Sequence, residues 1–139
     1  MHVIRENSYV VLQSKNICCT GMIEKNGLCE RIGELRDVQA VFLVHDGSIV
    51  QWKAKKGTKT PAPKDMDNVI VQRQMILALA RIHEGFLGKF HYNLSRYDDC
   101  DILLFDTPVG KKSMLMVMVK KPYELDGLLH EVRGALKHS

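Results

Sequence analysis

Apolar and polar positions recur along the chain with two periods, and the switches between them mark the elements. Leu28, Ile32 and Leu35 recur at i, i+4 and i+7 while Glu30, Arg31, Glu34 and Arg36 take the other side, which predicts a short amphipathic helix. Ala40-Val41-Phe42-Leu43-Val44 is apolar without alternation, as a strand covered on both faces requires. Asp46-Gly47 then supplies the positive-φ residues of a tight hairpin. The return strand runs from Ser48 to about Lys55, and its apolar character fades into lysines, which suits a sheet edge. Residues 56–64 contain two prolines and no large apolar side chain, and read as a mobile connection.

Asp65 or Asp67 is placed to cap the longest helical pattern, Met66 to about Leu87, which Gly85 and Gly88 end. Its stripe is broader than one sheet face needs, because Val69, Ile70 and Val71 are consecutive and Phe86 and Leu87 add a second flank. A second burial surface is therefore expected. Lys89 to Ser95 alternates Phe90, Tyr92 and Leu94 against His91, Asn93 and Ser95, the period of a half-exposed edge strand. Cys100 to Phe105 and Ser113 to Val119 are the next strands, each preceded by a turn. In the last of them Met114, Met116 and Met118 oppose Leu115, Val117 and Val119, so both faces must be covered. After Pro122, the spacing of Leu125, Leu128, Leu129, Val132 and Leu136 predicts a final helix.

Residues 1–21 are hard to read; Tyr9-Val10-Val11-Leu12 alone suggests a short strand. The expected organisation is an N-terminal extension, 1–21, followed by one domain over 22–139. Its element order, α-β-β-α-β-β-β-α, predicts an α+β fold: a five-stranded, mostly antiparallel sheet between helices in three α/β/α layers.

Composition narrows the class. With 139 residues, 45% of them apolar and 26% charged, the chain is long enough for one ordinary core and too apolar for a disordered segment. No cofactor is needed for folding. The net charge of +4 permits acidic partners without demanding them. No apolar run approaches the roughly 20 residues of a membrane span, and the start lacks a signal-peptide pattern, so a cytoplasmic protein is expected. Its 4 cysteines, Cys18, Cys19, Cys29 and Cys100, contain no Cys-x-x-Cys and are expected as reduced thiols.

The element order, Asp46-Gly47 after the apolar strand, the long helix ending in Phe86-Leu87-Gly88, and the methionine-rich strand before a last helix resemble the roadblock/dynein light-chain family. The likeness spans about residues 26–138. It implies a homodimer in which the long middle helices lie antiparallel and the third strands pair edge to edge, here Met66 to Leu87 and Lys89 to Ser95. Members of that family serve as scaffolds or regulators of small GTPases, or as adaptor subunits, and catalyse nothing themselves. The residues themselves support a dimer, through the surplus apolar helix surface and a strand edge that would be a liability if left open. The interface is assigned to Met75, Leu79, Ile82, His83 and Phe86 on the helix and to Phe90, His91, Tyr92, Asn93 and Leu94 on the strand.

No catalytic residue is assigned. Cys100 sits between Asp99 and Asp101, whose charges raise a thiol pKa and suppress the thiolate, and His83 falls on the helix stripe. No metal site is assigned either: Cys18, Cys19 and Cys29 lack a fourth ligand nearby, and Asp98, Asp99 and Asp101 lack the ligand spacing of a calcium loop. Lys53, Lys55, Lys56, Lys59 and Lys64 form the one dense basic run, read as steering an acidic protein partner or an anionic membrane surface. Two alternatives stand beside the scaffold reading. One is a small-ligand sensor or enzyme using space near His83, His91 and Cys100. The other is nucleic-acid binding through the lysines and Trp52, which is the less expected partner.

Overall fold

The computed structural model describes residues 2–6, 9–13, 27–108 and 112–137. Strands β1 (His2–Glu6) and β2 (Tyr9–Gln13) pair antiparallel at the start of the chain. Helix α1 (Leu28–Gly33) leads into β3 (Val38–His45) and β4 (Ser48–Ala54). Between these strands Asp46 and Gly47 take φ of 52° and 83°, the pair of positive values that a type I′ turn demands.

The connection after β4 departs from the sequence reading. It is not a mobile linker: β5 (Lys59–Pro61) lies in it and pairs antiparallel with β2, completing a three-stranded sheet in the order β1-β2-β5. Thr58 Oγ1 donates to the Lys55 and Gln39 carbonyls and holds the entry to this strand. The pairing is with a segment some 50 residues away, so local composition carries no trace of it.

Helix α2 (Pro63–Ile82) also starts earlier than expected. Its N-cap is Ala62, and neither Asp65 nor Asp67 caps it; Pro63 opens the first turn, where its fixed φ suits a helix and its missing N–H costs nothing. Asp65 instead lies within that turn, where the helix dipole favours an acid. The helix does not run unbroken to Leu87. It turns at His83, and a single further turn, α3 (Glu84–Leu87), is formed by Phe86 and Leu87 donating to the His83 carbonyl. Gly88, at φ 92°, ends it, and the Glu84 carboxylate accepts the Phe90 N–H at 2.8 Å to fix the return of the chain.

The remaining elements are β6 (Tyr92–Arg96), β7 (Cys100–Asp106), β8 (Ser113–Lys120) and α4 (Leu125–Lys137). The main sheet is antiparallel throughout in the order β4-β3-β8-β7-β6, so β4 and β6 are its edges. Alternation in β8 sorts the core. Leu115, Val117 and Val119 face α1 and α4 with Leu28, Ile32, Leu129 and Val132, whereas Met114 and Met116 face α2 with Ile70 and Leu77. The result is the three-layer α+β arrangement expected from the pattern. No helix among the described residues is long and apolar enough to cross a membrane.

Candidate interaction surface

Helix α2 presents apolar side chains on two opposite sides. Ile70 and Leu77 are buried against the sheet, with Met66, Val69 and Ile76 partly covered beside them. At about 100° per residue, Val71, Met75, Leu79 and Ile82 fall on the far side of the helix. Met75, Leu79, Ile82 and Phe86 are 60%, 59%, 70% and 75% exposed, and Leu87 is exposed beside them. Phe86 is steadied by an edge-on contact with the His83 ring at 5.6 Å. Contiguous apolar patches left exposed are where proteins commonly meet partners.

Two arginines hold the helix in this rotation. Arg73 donates to Ser95 Oγ at 2.8 Å and to the Tyr97 hydroxyl at 2.7 Å, with its guanidinium 5.9 Å from the Tyr97 ring centre. Arg81 forks onto the Asp106 carboxylate at 2.5 and 3.3 Å. These contacts tie α2 to the ends of β6 and β7.

The structure gathers the helix members of the assigned interface, Met75, Leu79, Ile82, His83 and Phe86, into one exposed strip. The strand members divide. Tyr92 and Leu94 pack partly into the core on the α4 side, Phe90 packs into the α2 side, Asn93 is half-buried and His91 is exposed. What β6 offers outward is its backbone edge. Val71 and Leu87 extend the strip and Arg73 orients it, and none of the three belongs to the interface assigned from sequence. The signal for Val71 is its place one helical turn before Met75.

The basic run is corrected in part. Lys53 is buried: its ammonium lies 2.9 Å from Glu30 and 4.0 Å from Glu34, and its stem runs over Gly33. Lys55 donates to the Leu35 and Arg36 carbonyls at 2.8 and 2.9 Å, and burial lowers its pKa against the opposing charge of Asp37. Both lysines are therefore parts of the α1–β4 packing. Lys56, Lys59 and Lys64 remain exposed.

The residues weighed for chemistry do not converge. Cys100 and Asp106 are at opposite ends of β7, about 20 Å apart at 3.3 Å per residue, and His91 lies by the Asp106 end. Burial first, then the charges of Asp101 and Asp99, push the Cys100 thiol up, against the pull of Lys121. Cys29 is buried in α1, and Cys18 and Cys19 lie outside the described residues.

The strongest polar cluster is one that the sequence reading does not reach. Asp101 is fully buried, and its carboxylate accepts from the Tyr123 hydroxyl at 2.5 Å and from Arg96 at 3.0 and 3.3 Å, with Lys121 3.5 Å away. Burial alone would raise its pKa. The hydrogen bonds from Tyr123 and Arg96 and the charges of Arg96 and Lys121 outweigh that and hold it below the ordinary carboxylate value. The cluster fastens the start of α4 to the sheet.

No protein-family model matches the sequence, and no curated protein matches it. Solved structures do match. The Roadblock/LC7 domain from Streptomyces avermitilis aligns with a TM-score of 0.61 at 14% identity, over 84% of this chain and 94% of that one. An MglB with a tetrameric arrangement gives a TM-score of 0.62 at 15% identity, over 84% and 90% of the two chains. MglB from Myxococcus xanthus gives 0.59 at 14% identity, over 84% and 88%. With α2 on one face of the β4-β3-β8-β7-β6 sheet and α1 and α4 on the other, and with these neighbours covered over most of their length, the chain has the roadblock fold.

Proposed function

We propose that the protein is a non-enzymatic homodimeric scaffold or regulator that binds a small GTPase or a related protein. The observation that carries this reading is the strip of Met75, Leu79, Ile82 and Phe86, exposed on the side of α2 and α3 away from the core. Antiparallel pairing of two such strips removes them from water, and joining the open edges of two β6 strands closes the sheet edge in the same isologous contact. The roadblock fold supports the reading, as does the tetrameric arrangement described for one MglB neighbour. Lys56, Lys59 and Lys64 then serve to steer an acidic partner.

Light scattering on the purified protein at micromolar concentration should return twice the 15.8 kDa chain mass. Leu79→Asp should halve that mass while leaving the circular dichroism spectrum in place, because Leu79 lies outside the core, with melting lowered only by the loss of association. A monomeric wild type, or a Leu79→Asp variant that keeps the dimer mass, refutes the interface. The partner is tested by titrating the dimer with small GTPases of the same genome in their GDP and GTP states; binding to none of them in either state refutes that part.

A further inference from the structure

A cleft of about 460 Å³ lies between α4, the end of β7 and the segment leading into β6. This volume falls within the range of small-molecule sites, roughly 300–1,000 Å³. Its floor is apolar: half-buried Phe90 lines it, with Phe105 and Leu136 almost fully buried beneath. Its rim is cationic: Lys89, Arg133 and Lys137 are exposed around the opening, and His91 stands beside them. The single carboxylate in the lining, Asp106, is already engaged by Arg81 at 2.5 Å. Among the described residues, Lys89, Arg133 and Lys137 form no salt bridge. The guanidinium of Arg133 lies 5.9 Å from the centre of the Tyr92 ring.

We propose that this cleft binds a small amphipathic carboxylate, with an apolar body against Phe90, Phe105 and Leu136 and the anionic head on Arg133 and Lys89. An aromatic and aliphatic floor favours a hydrocarbon body, and a planar guanidinium matches a carboxylate through two parallel hydrogen bonds. Three cations around one neutralised acid leave a positive field that a neutral ligand would not use.

The probe is octanoate, titrated into the full-length protein by calorimetry, with octanamide and acetate as controls. Octanoate should bind saturably at one site per chain, octanamide at least tenfold more weakly, and acetate without saturation. Arg133→Gln, at an exposed position, should lower octanoate affinity at least fivefold with an unchanged melting temperature, and Lys89→Gln should do the same to a smaller degree. Equal affinity for octanamide would show a merely greasy cleft, equal affinity for acetate a plain anion site, and either result overturns the proposal. So does an Arg133→Gln protein that binds octanoate as the wild type does, or a wild type that shows no saturation.

Discussion

Replacing Tyr123 by Phe removes one hydrogen bond and nothing else from the buried carboxylate of Asp101. That hydroxyl donates to Oδ2 at 2.5 Å, and Oδ1 has no hydrogen-bond partner among the described residues, so loss of the hydroxyl leaves the carboxylate to Arg96 on Oδ2 and to the Lys121 ammonium 3.5 Å from Oδ1. A hydrogen bond to a charged group contributes about 1.5–3 kcal/mol, and the burial of Asp101 places this one toward the middle of that range, about 2 kcal/mol. The Arg96 contacts are worth less than their geometry suggests, because that side chain is largely exposed and screened. For a chain of this size, about 2 kcal/mol corresponds to a fall in melting temperature of roughly 8 °C. The effect has a pH signature. The folded pKa of Asp101 is depressed, so the stability it contributes is present above the unfolded carboxylate value, near 3.9, and is lost as pH falls through the folded one. Burial and the neighbouring Asp101 push Tyr123 the other way, up to about 12, so its contribution is full below the unfolded value near 10 and is lost as pH rises through 12. Urea denaturation followed by Trp52 fluorescence should therefore show Tyr123→Phe weaker by about 2 kcal/mol at pH 7, with the gap narrowing as Asp101 becomes protonated in acid and again as pH rises toward 12. A gap under about 0.5 kcal/mol at pH 7, or one that widens as pH falls below the unfolded carboxylate value, refutes the reasoning.

Gly33→Ala places a Cβ 2.6 Å from Lys53 Cδ and 3.0 Å from Lys53 Cβ, so the buried stem must shift and its ammonium must leave Glu30; denaturation should show a loss of about 1–3 kcal/mol. Arg81→Gln cuts the fork onto Asp106 between two half-exposed side chains and should cost about 1 kcal/mol, read as faster amide exchange in the last turns of α2.

Where the chemistry is local, the sequence carries it. Asp46-Gly47 sets a two-residue hairpin because both residues tolerate positive φ, and the strict alternation of β8 is enough by itself to separate its methionines from its valines. The two sides of α2 are harder to separate, since Leu77 and Leu79 are the same residue and only the fold decides which is buried. Strand β5 is invisible in the sequence because Lys59-Thr60-Pro61 has no apolar alternation and owes its conformation to β2. Lys53 reads as a surface charge, although Glu30 on α1 and Glu34 at its C-cap stand one turn apart and are spaced to receive it. Asp101 carries a trace of its role: it shares a strand face with Leu103 and Phe105, so an acid stands at a core position and has to be paired.

The choice of which apolar side of α2 meets the sheet cannot rest on hydrophobicity, because leucines and methionines occupy both. Arg73 and Arg81 break that tie. They are eight residues apart and lie about 80° from each other around the helix, with Leu77 midway between them. Their partners, Ser95 and Asp106, stand near the ends of β6 and β7, so both guanidiniums reach them only when Leu77 points at the sheet. Turning the helix by about 180° would bury Leu79 and Met75 equally well but would strand two guanidiniums over solvent and leave the Asp106 carboxylate without its partner. The apolar strip is thus left outside by polar contacts made on the opposite side, and a surface held exposed in this way is available to a second chain without any unfolding of the first.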